Sequence, residues 1–511
     1  MSFCPGTIAA IEPHRAAVVF GAATLTYGAL ETDSAAIAAM LHAGGLVPGD
    51  VVAMLIGNRA EFFTVAWAAQ RSGLYYVPIP TRLTPSEIAH ILVDSEAKAL
   101  FVDPAFAKAA AQAAAGLNLS QYPLDAPTAA YPPAPEQEGG DMLYTSGTTG
   151  KPKGVRRPLT GEALGSDAKR VTRARDLFGL DGDSVFLSPA PLYHAAPLRF
   201  AMNLLRVGGT VIGMDRFDAA RALGLIAEHR VTHSQWVPTM FSRLLDLPQA
   251  ESASQDLSSH RVAIHAGAPC APDLKRAMID WWGPILHEYY SGTESVGFTH
   301  VTSAEWVARP GTVGRPYGCT VHIVDDDGAE LGPGQTGAVY FGGKSGLSYH
   351  NDSAKTAAAH DPRGWVTMGD IGHVDTDGYL FLTDRRAFTI ISGGVNIYPA
   401  EVEAALSAHS AVRDIAVFGI ADPDLGEAVF ALIELAPGLS GDAALAQAIA
   451  DHAAPVLARH KRPRRIAFGS VGRTETGKLM KAQLREAAGV DAGFAVTTRG
   501  PAVREKDQAA A

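Results

Sequence analysis

Short runs of β-forming residues alternate with longer helical patterns in the first half of the chain, and this alternation strongly constrains the fold. Residues 51–56 are aliphatic or Met, lie between Pro48-Gly49-Asp50 and Gly57-Asn58, and predict a buried strand. A helix is predicted over 61–71. Further short strands are predicted at 75–79, 185–187, 210–212 and 262–264. Alternation of this kind indicates an α/β fold with doubly wound layers.

Three changes in composition predict the domain organisation. Residues 122–140 are crowded with Pro and Ala and are typical of a linker, and 311–382 hold short strands with tight turns, which predict a small β-barrel. After Asp384 the pattern predicts a compact α+β unit, with a helix that begins at Pro399 and another over 442–458. We therefore expect a large N-terminal domain over 1–384, a small mobile C-terminal domain over 385–490, and a flexible tail over 491–511.

Composition excludes several classes of protein. Of the 511 residues, 47% are hydrophobic and 19% charged, which excludes a wholly disordered chain and a coiled coil. The 43 Lys and Arg against 53 Asp and Glu give a net charge of -10, so we expect no nucleic-acid partner. No apolar run reaches the roughly 18 residues of a transmembrane segment, and the N-terminus has no pattern of a secretory signal. Three widely spaced cysteines suit a reducing compartment, so a cytoplasmic enzyme is expected.

A loop rich in glycine, hydroxyl groups and lysine lies at 144–155. Its glycines free backbone N–H groups to surround an anion, the hydroxyls donate hydrogen bonds, and the lysines add charge. It is not a Walker A loop, because Pro152 stands where that motif needs Ser or Thr. The alternative is a polar surface linker, which has no reason for this density of donors. The predicted phosphate-binding residues are Thr145, Ser146, Gly147, Thr148, Thr149, Gly150, Lys151 and Lys153.

Four further motifs follow the loop in order. They are Tyr-Ser-Gly-Thr-Glu at 290–294, Thr-Met-Gly-Asp at 367–370, a joint from Asp384-Arg385 to Pro399, and Thr-Glu-Thr-Gly-Lys at 474–478. Together with the glycine loop they resemble the core motifs of the adenylate-forming superfamily, which includes acyl-CoA synthetases, peptide-synthetase adenylation domains and firefly luciferase. The resemblance covers nearly the whole chain.

The resemblance implies a two-step activation of a carboxylic acid. A carboxylate is a poor electrophile, and conversion to an acyl-AMP supplies AMP as the leaving group for attack by a thiol. The first step brings two anions together and requires positive charge, which the resemblance assigns chiefly to Lys478. It also implies that Thr293 contacts phosphate and that Glu294 holds Mg²⁺.

The remaining roles also follow from the resemblance. Tyr290 and Ser291 would lie at the nucleotide, with Tyr290 stacked on adenine. The other residues implied at the nucleotide or CoA are Gly267, Ala268 and Pro269 beside the base, Asp370 and Arg385 at the ribose, and Gly393 and Gly394 along the pantetheine channel once the small domain rotates.

The acid itself is expected in a mostly apolar pocket. The predicted lining is His194, Met202, Trp236, Thr239, Met240, Ala266, Gly267 and Ser291. Because most of these side chains are apolar, a hydrophobic acid is expected, whether fatty, aryl or alicyclic.

Two departures from the family pattern stand out. Ala387 and Phe388 occupy hinge positions where the family carries polar residues, and Ser291 replaces a glycine before the phosphate-binding Thr. Residues 193–196 contain no acidic group to pair with an α-ammonium, which argues against an amino-acid substrate.

The predicted function is therefore that of an AMP-forming acyl-CoA synthetase using ATP, Mg²⁺ and CoA, with a homodimer as a further expectation. Three alternatives remain at this point. They are an adenylate-forming enzyme with a carrier-protein acceptor, a luciferase-like oxygenase, and a nucleotide-binding protein without ligase activity.

Overall fold

The computed structural model describes residues 3–124, 131–145, 152–166, 168–252, 254–343, 347–385, 388–392, 395–423, 425–473, 479–488 and 493–496. The strands up to the middle of the chain are β1 (Ala16–Phe20), β2 (Ala23–Thr26), β3 (Val51–Leu55), β4 (Tyr75–Pro78), β5 (Ala97–Val102), β6 (Ser120–Pro123), β7 (Gly140–Asp141), β8 (Leu143–Thr145), β9 (Lys153–Val155), β10 (Val185–Ser188), β11 (Thr210–Gly213), β12 (His233–Trp236) and β13 (Val262–His265). The later strands are β14 (Leu286–Tyr290), β15 (Thr299–Thr302), β16 (Thr312–Pro316), β17 (Thr320–Val324), β18 (Gly337–Gly342), β19 (Val366–Val374), β20 (Leu380–Arg385), β21 (Ile390–Ser392), β22 (Val395–Ile397), β23 (Val412–Asp422), β24 (Gly426–Leu435), β25 (Arg465–Phe468) and β26 (Phe494–Ala495).

The α-helices fall between these strands. They are α1 (Pro5–Ala9), α2 (Tyr27–Ala43), α3 (Glu61–Arg71), α4 (Pro85–Asp94), α5 (Ala107–Ala113), α6 (Ala168–Phe178), α7 (Ala195–Val207), α8 (Ala219–Glu228), α9 (Pro238–Leu245), α10 (Gln249–Ser252), α11 (Pro272–Trp282), α12 (Ser303–Ala308), α13 (Ser353–Ala359), α14 (Pro399–Ser407), α15 (Ala443–Ala453) and α16 (Lys481–Ala487). No helix in the described part of the chain is both long and apolar enough to cross a membrane.

The first layer is a parallel five-stranded sheet in the order β6-β5-β3-β4-β7. All five residues of β3 are buried, because helices cover both faces. Val52 and Met54 pack in one core with Trp67 of α3. The alternate residues of the strand, Val51, Ala53 and Leu55, pack in another core with Ile91 of α4. The predicted strand at 51–56 and the helix at 61–71 are confirmed, with the strand ending at Leu55.

A second, larger sheet forms the centre of the molecule. Strands β14, β13, β12, β10, β11 and β1 lie side by side and parallel, in that order. Helix α7 packs on one face, where Leu198 lies in a core with Phe186, and α8 and α9 pack on the other, where Phe241 lies in a core with Leu187. From β10 the chain continues to β11 on one side and later to β12 on the other. The carboxyl ends of these strands therefore form a switch point of the kind at which α/β sheets bind ligands.

The strands of 311–382 extend this sheet with antiparallel pairing. Their order is β17-β18-β19-β20-β16, and β16 also pairs with β15, so hydrogen bonding is continuous with the central sheet. They enclose their own small core around Phe341. This arrangement brings β19, which carries the third motif, to the same side of the molecule as the end of β14.

The C-terminal unit is a mixed sheet built around the long antiparallel pair β23 and β24. Helices α14 and α15 cover one face, where Val402 and Ile449 are buried. The helix predicted over 442–458 is wrong at its end: α15 stops at Ala453 because Pro455 has no N–H to continue the helical hydrogen bonds. The boundary between the two domains stays a prediction.

A buried ion pair between α11 and β14 gives a test of the central sheet. Lys275 is 0% exposed and its Nζ lies 2.6 Å from Oε2 of Glu288, which is 6% exposed. Burial raises the pKa of the Glu288 carboxyl above its ordinary value, even beside this ammonium group. We expect Lys275→Met to lower the free energy of unfolding by about 3–5 kcal/mol, because it leaves a buried carboxylate without its cation.

Denaturant unfolding measures this effect. The control is Arg221→Met, which breaks the exposed pair with Glu228 and should cost less than about 1 kcal/mol. The double variant Lys275→Met/Glu288→Leu should recover most of the loss. Equal losses in the single and double variants would contradict the assignment to the ion pair.

Candidate active site

The glycine loop is held by a two-stranded antiparallel ribbon. Strands β8 and β9 pair Leu143 with Val155 and Thr145 with Lys153. The ends of the loop are therefore fixed beside each other, as a compact phosphate-binding turn requires. Residues 146–151, which include the predicted Ser146, Gly147, Thr148, Thr149, Gly150 and Lys151, lie outside the described residues, as does the side chain of Thr145.

Two residues at the base of this loop have structural roles. The ammonium group of Lys153 lies 2.5 Å from Oδ2 of Asp352, and this ion pair ties the ribbon to the segment before α13. Gly154 packs closely against Met142, since a Cβ there would lie 2.7 Å from Cε of Met142 and would require that side chain to shift. The prediction that Lys153 serves phosphate stays a prediction, and in this structure the charge of Lys153 is paired with the carboxylate of Asp352.

The second and third motifs meet at the end of β14. Tyr290, the last residue of β14, donates a short hydrogen bond to Oδ2 of Asp370 on β19. Asp370 is 6% exposed and is the register partner of Arg385 on β20. Asp370 and Arg385 follow Tyr290 by 80 and 95 positions in the sequence. The fold thus brings three predicted nucleotide residues together. The side chain of Arg385 is outside the described residues.

Close packing holds the turn after β14. A Cβ on Gly292 would lie 2.4 Å from Sδ of Met368 and 2.6 Å from Oε2 of Glu294, so a larger residue there would require both of these side chains to move. Ser291 donates a hydrogen bond of 2.6 Å to the carbonyl of Gly297. This hydroxyl therefore closes the turn, which is a use that the sequence did not reveal.

Glu294 is oriented by a tyrosine from a distant segment. The hydroxyl of Tyr349, which is 5% exposed, donates a hydrogen bond of 2.9 Å to Oε1 of Glu294. The described residues contain no group of three or more His, Cys, Asp or Glu side chains that could hold a metal. A single oriented carboxylate suits Mg²⁺, which is bound by one or two carboxylates together with phosphate oxygens and water.

The loop after β13 lies beside this turn, because β13 and β14 are parallel neighbours. Ala266 is 5% exposed, and Gly267 has φ +89°, a left-handed conformation that favours glycine. Ala268 is partly buried and Pro269 is exposed. The backbone of 266–269 is therefore open at the surface next to Tyr290, where the base was predicted.

The structure corrects the predicted acid pocket. Met202 of α7 is buried on one face of the central sheet, whereas Trp236 and Met240 are buried in the core on the other face. Trp236 is 0% exposed and its indole N–H donates to Oγ of Ser234. Trp236 and Met240 therefore do not share one cavity with Met202.

Gln235 is the residue of β12 that faces α7. Its register partner is Ile264, which lies in the core on the α7 face, and register partners on neighbouring strands point to the same side. Gln235 is 1% exposed, and its Oε1 has no hydrogen-bond partner among the described residues, as is also the case for Oγ of Ser188 on β10. The two-residue period of a strand, counted from Trp236, could have found Gln235 in the sequence.

The other predicted pocket residues border the same edge of the sheet. His194 precedes α7 as its N-cap residue, is partly buried, and lies 4.6 Å from the ring of Tyr193, centroid to centroid. Thr239 is partly buried on α9. Both stand near the carboxyl ends of the parallel strands, as does Ala266.

The C-terminal unit frames two predicted loops without describing their tips. Gly393 and Gly394 lie outside the described residues, between Ser392 and Val395, which pair in the β21–β22 hairpin. Lys478 also lies outside them, and the loop that carries it is closed by a bridge between Arg473 and Leu479. Ala387 is likewise outside the described residues.

The family model for AMP-binding enzymes matches residues 7–348, and that for the C-terminal domain of AMP-binding enzymes matches 401–478. The chain is 34% identical to feruloyl-CoA synthase from Amycolatopsis sp., with 94% of this chain and 97% of that protein covered. It is 31% identical to indoleacetate–CoA ligase from Aromatoleum aromaticum, with 94% and 96% covered.

Among solved structures, the fold matches o-succinylbenzoate CoA synthetase from Bacillus subtilis in complex with an acyl-adenylate intermediate. The TM-score is 0.82 at 27% identity, with 95% of this chain and 98% of that chain covered. The same synthetase in complex with ATP and magnesium ion matches with a TM-score of 0.81 at 28% identity, covering 95% and 99%. The chain belongs to the AMP-binding enzymes of the adenylate-forming superfamily, and it is an AMP-dependent acid–CoA ligase that uses ATP, Mg²⁺ and CoA.

Proposed function

We propose that this ligase adenylates a hydrophobic aryl or fatty acid with ATP and transfers the acyl group to CoA. The carboxylate oxygen attacks the α-phosphorus of ATP and diphosphate leaves, which gives the acyl-AMP. The sulfur of CoA then attacks the acyl carbon, the bond to AMP breaks, and the thiol proton is released. The observation that carries this proposal is the meeting of Tyr290, Asp370 and Arg385 beside the turn that holds Thr293 and Glu294.

The chain's own residues would divide the work between nucleotide and acid. Asp370 and Arg385 would hold the ribose, since they are register partners on the neighbouring strands β19 and β20. The Tyr290 hydroxyl keeps the Asp370 carboxylate in place, and its ring offers a face for adenine. The loop of 146–151 and Thr293 would donate hydrogen bonds to the phosphates, and Lys478 would bring a cation to the carboxylate and the α-phosphate.

Glu294 would hold Mg²⁺ through the carboxylate that Tyr349 orients. When bound, this ion offsets part of the negative charge of the phosphates. Gly393 and Gly394 would border the pantetheine of CoA after rotation of the C-terminal unit. The acid would lie on the α7 face near His194, Met202 and Ala266. We further propose a cytoplasmic location and a homodimer.

The acid panel is the first test. We expect a subset of aryl or fatty acids to release AMP only when CoA is present, and the acyl-CoA product to be found by mass spectrometry. A boiled sample and the omission of CoA are the controls. Diphosphate release from an acid that never yields an acyl-CoA would show that CoA is not the acceptor, and a carrier protein would then be supplied instead.

The lysine loop gives a second test. Lys478→Ala should slow adenylation by about 100-fold or more, because a cation at the site of the developing charge is lost. Thioester formation from a supplied acyl-AMP should stay within about threefold, since the α-phosphate has already reacted. Arg459→Ala, on an exposed turn of the same unit, is the matched control and should leave both steps unchanged. Equal loss of both steps would overturn the role of Lys478.

The contact between the second and third motifs gives another test of the proposed function. Tyr290→Phe removes the hydroxyl that donates to Asp370, so we expect KM for ATP to rise by about 5- to 20-fold. KM for the acid should change little, which separates a nucleotide effect from general damage. Tyr131→Phe, at a tyrosine that is 42% exposed, is the control. An unchanged KM for ATP would show that the hydrogen bond does not serve the nucleotide.

A further inference from the structure

Helix α7 carries an arginine whose guanidinium group joins two separate loops of the site. Nη2 of Arg199 lies 2.7 Å from Oδ2 of Asp141, and its Nε lies 3.1 Å from the same oxygen. Nη1 and Nη2 also donate to the carbonyl of Thr293, at 3.1 and 3.2 Å. A third contact, of 3.0 Å, runs from Nη1 to Oγ of Ser295. The planar fork of arginine suits these simultaneous contacts, which a lysine could not make.

Asp141 connects Arg199 to the glycine loop. It is 1% exposed and lies on β7, two residues before β8 begins. Its second oxygen accepts a hydrogen bond of 2.8 Å from Nη2 of Arg157, which lies two residues after β9 ends. The carboxylate is thus tied to both limbs of the ribbon that carries the loop, and a shift of Asp141 would move both ends of that loop.

Ser295 connects Arg199 to the turn after β14. Its φ is +55°, in the left-handed region that side chains other than glycine rarely adopt. The hydrogen bonds to its hydroxyl and to the carbonyl of Thr293 stabilise this conformation. Because Arg199 fixes the carbonyl of Thr293 on the α7 side, the direction in which the side chains of Thr293 and Glu294 project depends on Arg199.

We propose that Arg199 is a positioning residue for adenylation, which sets the separation between the phosphate loop and the Thr293–Glu294 turn. The inference rests on the proposed function and deepens it. Arg199 need not touch the substrate. It acts through Asp141 on one side and through the main chain of Thr293 on the other, and an error in this separation would misplace the phosphates relative to the carboxylate.

An alternative is that the pair with Asp141 serves stability alone. The two readings differ in which half-reaction they affect. Adenylation needs the phosphate loop and the turn in register, because all three phosphates of ATP are present. In the attack of CoA on an acyl-AMP, only the α-phosphate of the nucleotide is still present. A positioning residue therefore affects the first half-reaction more than the second, whereas a purely structural residue affects both alike.

The test uses Arg199→Lys and Asp141→Asn in the full-length enzyme. Each substitution keeps the approximate size of the side chain. Arg199→Lys removes the planar guanidinium group, and Asp141→Asn removes the negative charge. We expect adenylation, followed by diphosphate release, to slow by about 10- to 100-fold in both. Thioester formation from a supplied acyl-AMP should change by less than about threefold. Arg221→Lys, at an exposed position of α8, is the matched control and should leave both steps unchanged.

Nucleotide binding gives a readout that does not depend on the acid or on CoA. By calorimetry, both variants should bind ATP with Mg²⁺ about 5- to 20-fold more weakly than the wild type, with a smaller change for AMP. The double variant Arg199→Lys/Asp141→Asn should bind ATP no more weakly than the single variant with the lower affinity, because both substitutions act through one contact. If none of the acids in the panel caused the wild type to release AMP, the proposed function would fail. The difference in ATP binding would still decide the role of Arg199.

Two results would overturn the proposal. One is an equal loss of both half-reactions together with a lower midpoint of thermal unfolding, which would assign Arg199 to stability. The other is unchanged adenylation and unchanged ATP binding in both variants. Ser295→Gly provides a further variant that removes only one contact at a position where glycine suits the backbone, and it should show a smaller change in the same direction.

Discussion

The carboxylate of Asp141 lies almost completely buried between two guanidinium groups, and the geometry of the site depends on this contact. A buried carboxylate must be paired, and here its two partners come from opposite sides of the site. Arg157 belongs to the ribbon of the glycine loop, and Arg199 belongs to the helix that packs under the acid pocket. Because Arg199 also holds the carbonyl of Thr293, one ion cluster links the phosphate loop to the turn that follows β14. A chain with a net charge of -10 thus directs its positive charges locally toward the site.

On the other side of the site the contacts are made by tyrosine hydroxyls and by close packing. Tyr290 reaches Asp370, Tyr349 reaches Glu294, and Gly292 leaves room for Met368. The contacts of Tyr290 and Gly292 join the end of β14 to β19 of the antiparallel extension, whereas Tyr349 lies in the segment between β18 and α13. The residues predicted at the nucleotide on β14 and β19 therefore belong to one continuous hydrogen-bonded sheet, whereas Lys478 belongs to the segment that the C-terminal family model matches. This division suits an enzyme that runs two half-reactions and keeps the nucleotide in place between them.

Much of the fold and part of the site could be predicted from local pattern. Strand β3 and helix α3 follow from a buried aliphatic run and an adjacent helical pattern, since both faces of a parallel sheet are covered. The grouping of Tyr290 with Asp370 was predicted through the resemblance of their motifs. The acid pocket was predicted less well: Trp236 was among the predicted lining residues, whereas the strand turns Gln235, its polar neighbour, toward the α7 face of the sheet. Lys153 was assigned to phosphate by its charge, and its partner Asp352 lies 199 residues away.

The sequence by itself determined the α/β class, the order of the motifs and the chemistry that those motifs carry, because strand and helix periods and short motifs are local properties of the chain. The tertiary structure alone decided which side of the central sheet each predicted pocket residue faces, that Lys153 pairs with Asp352, and how Arg199 joins Asp141 to Thr293. These properties depend on register and on the packing of α7 against distant segments. A one-residue change of register reverses the direction of every side chain in a strand, and an ion pair exists only where two distant segments meet.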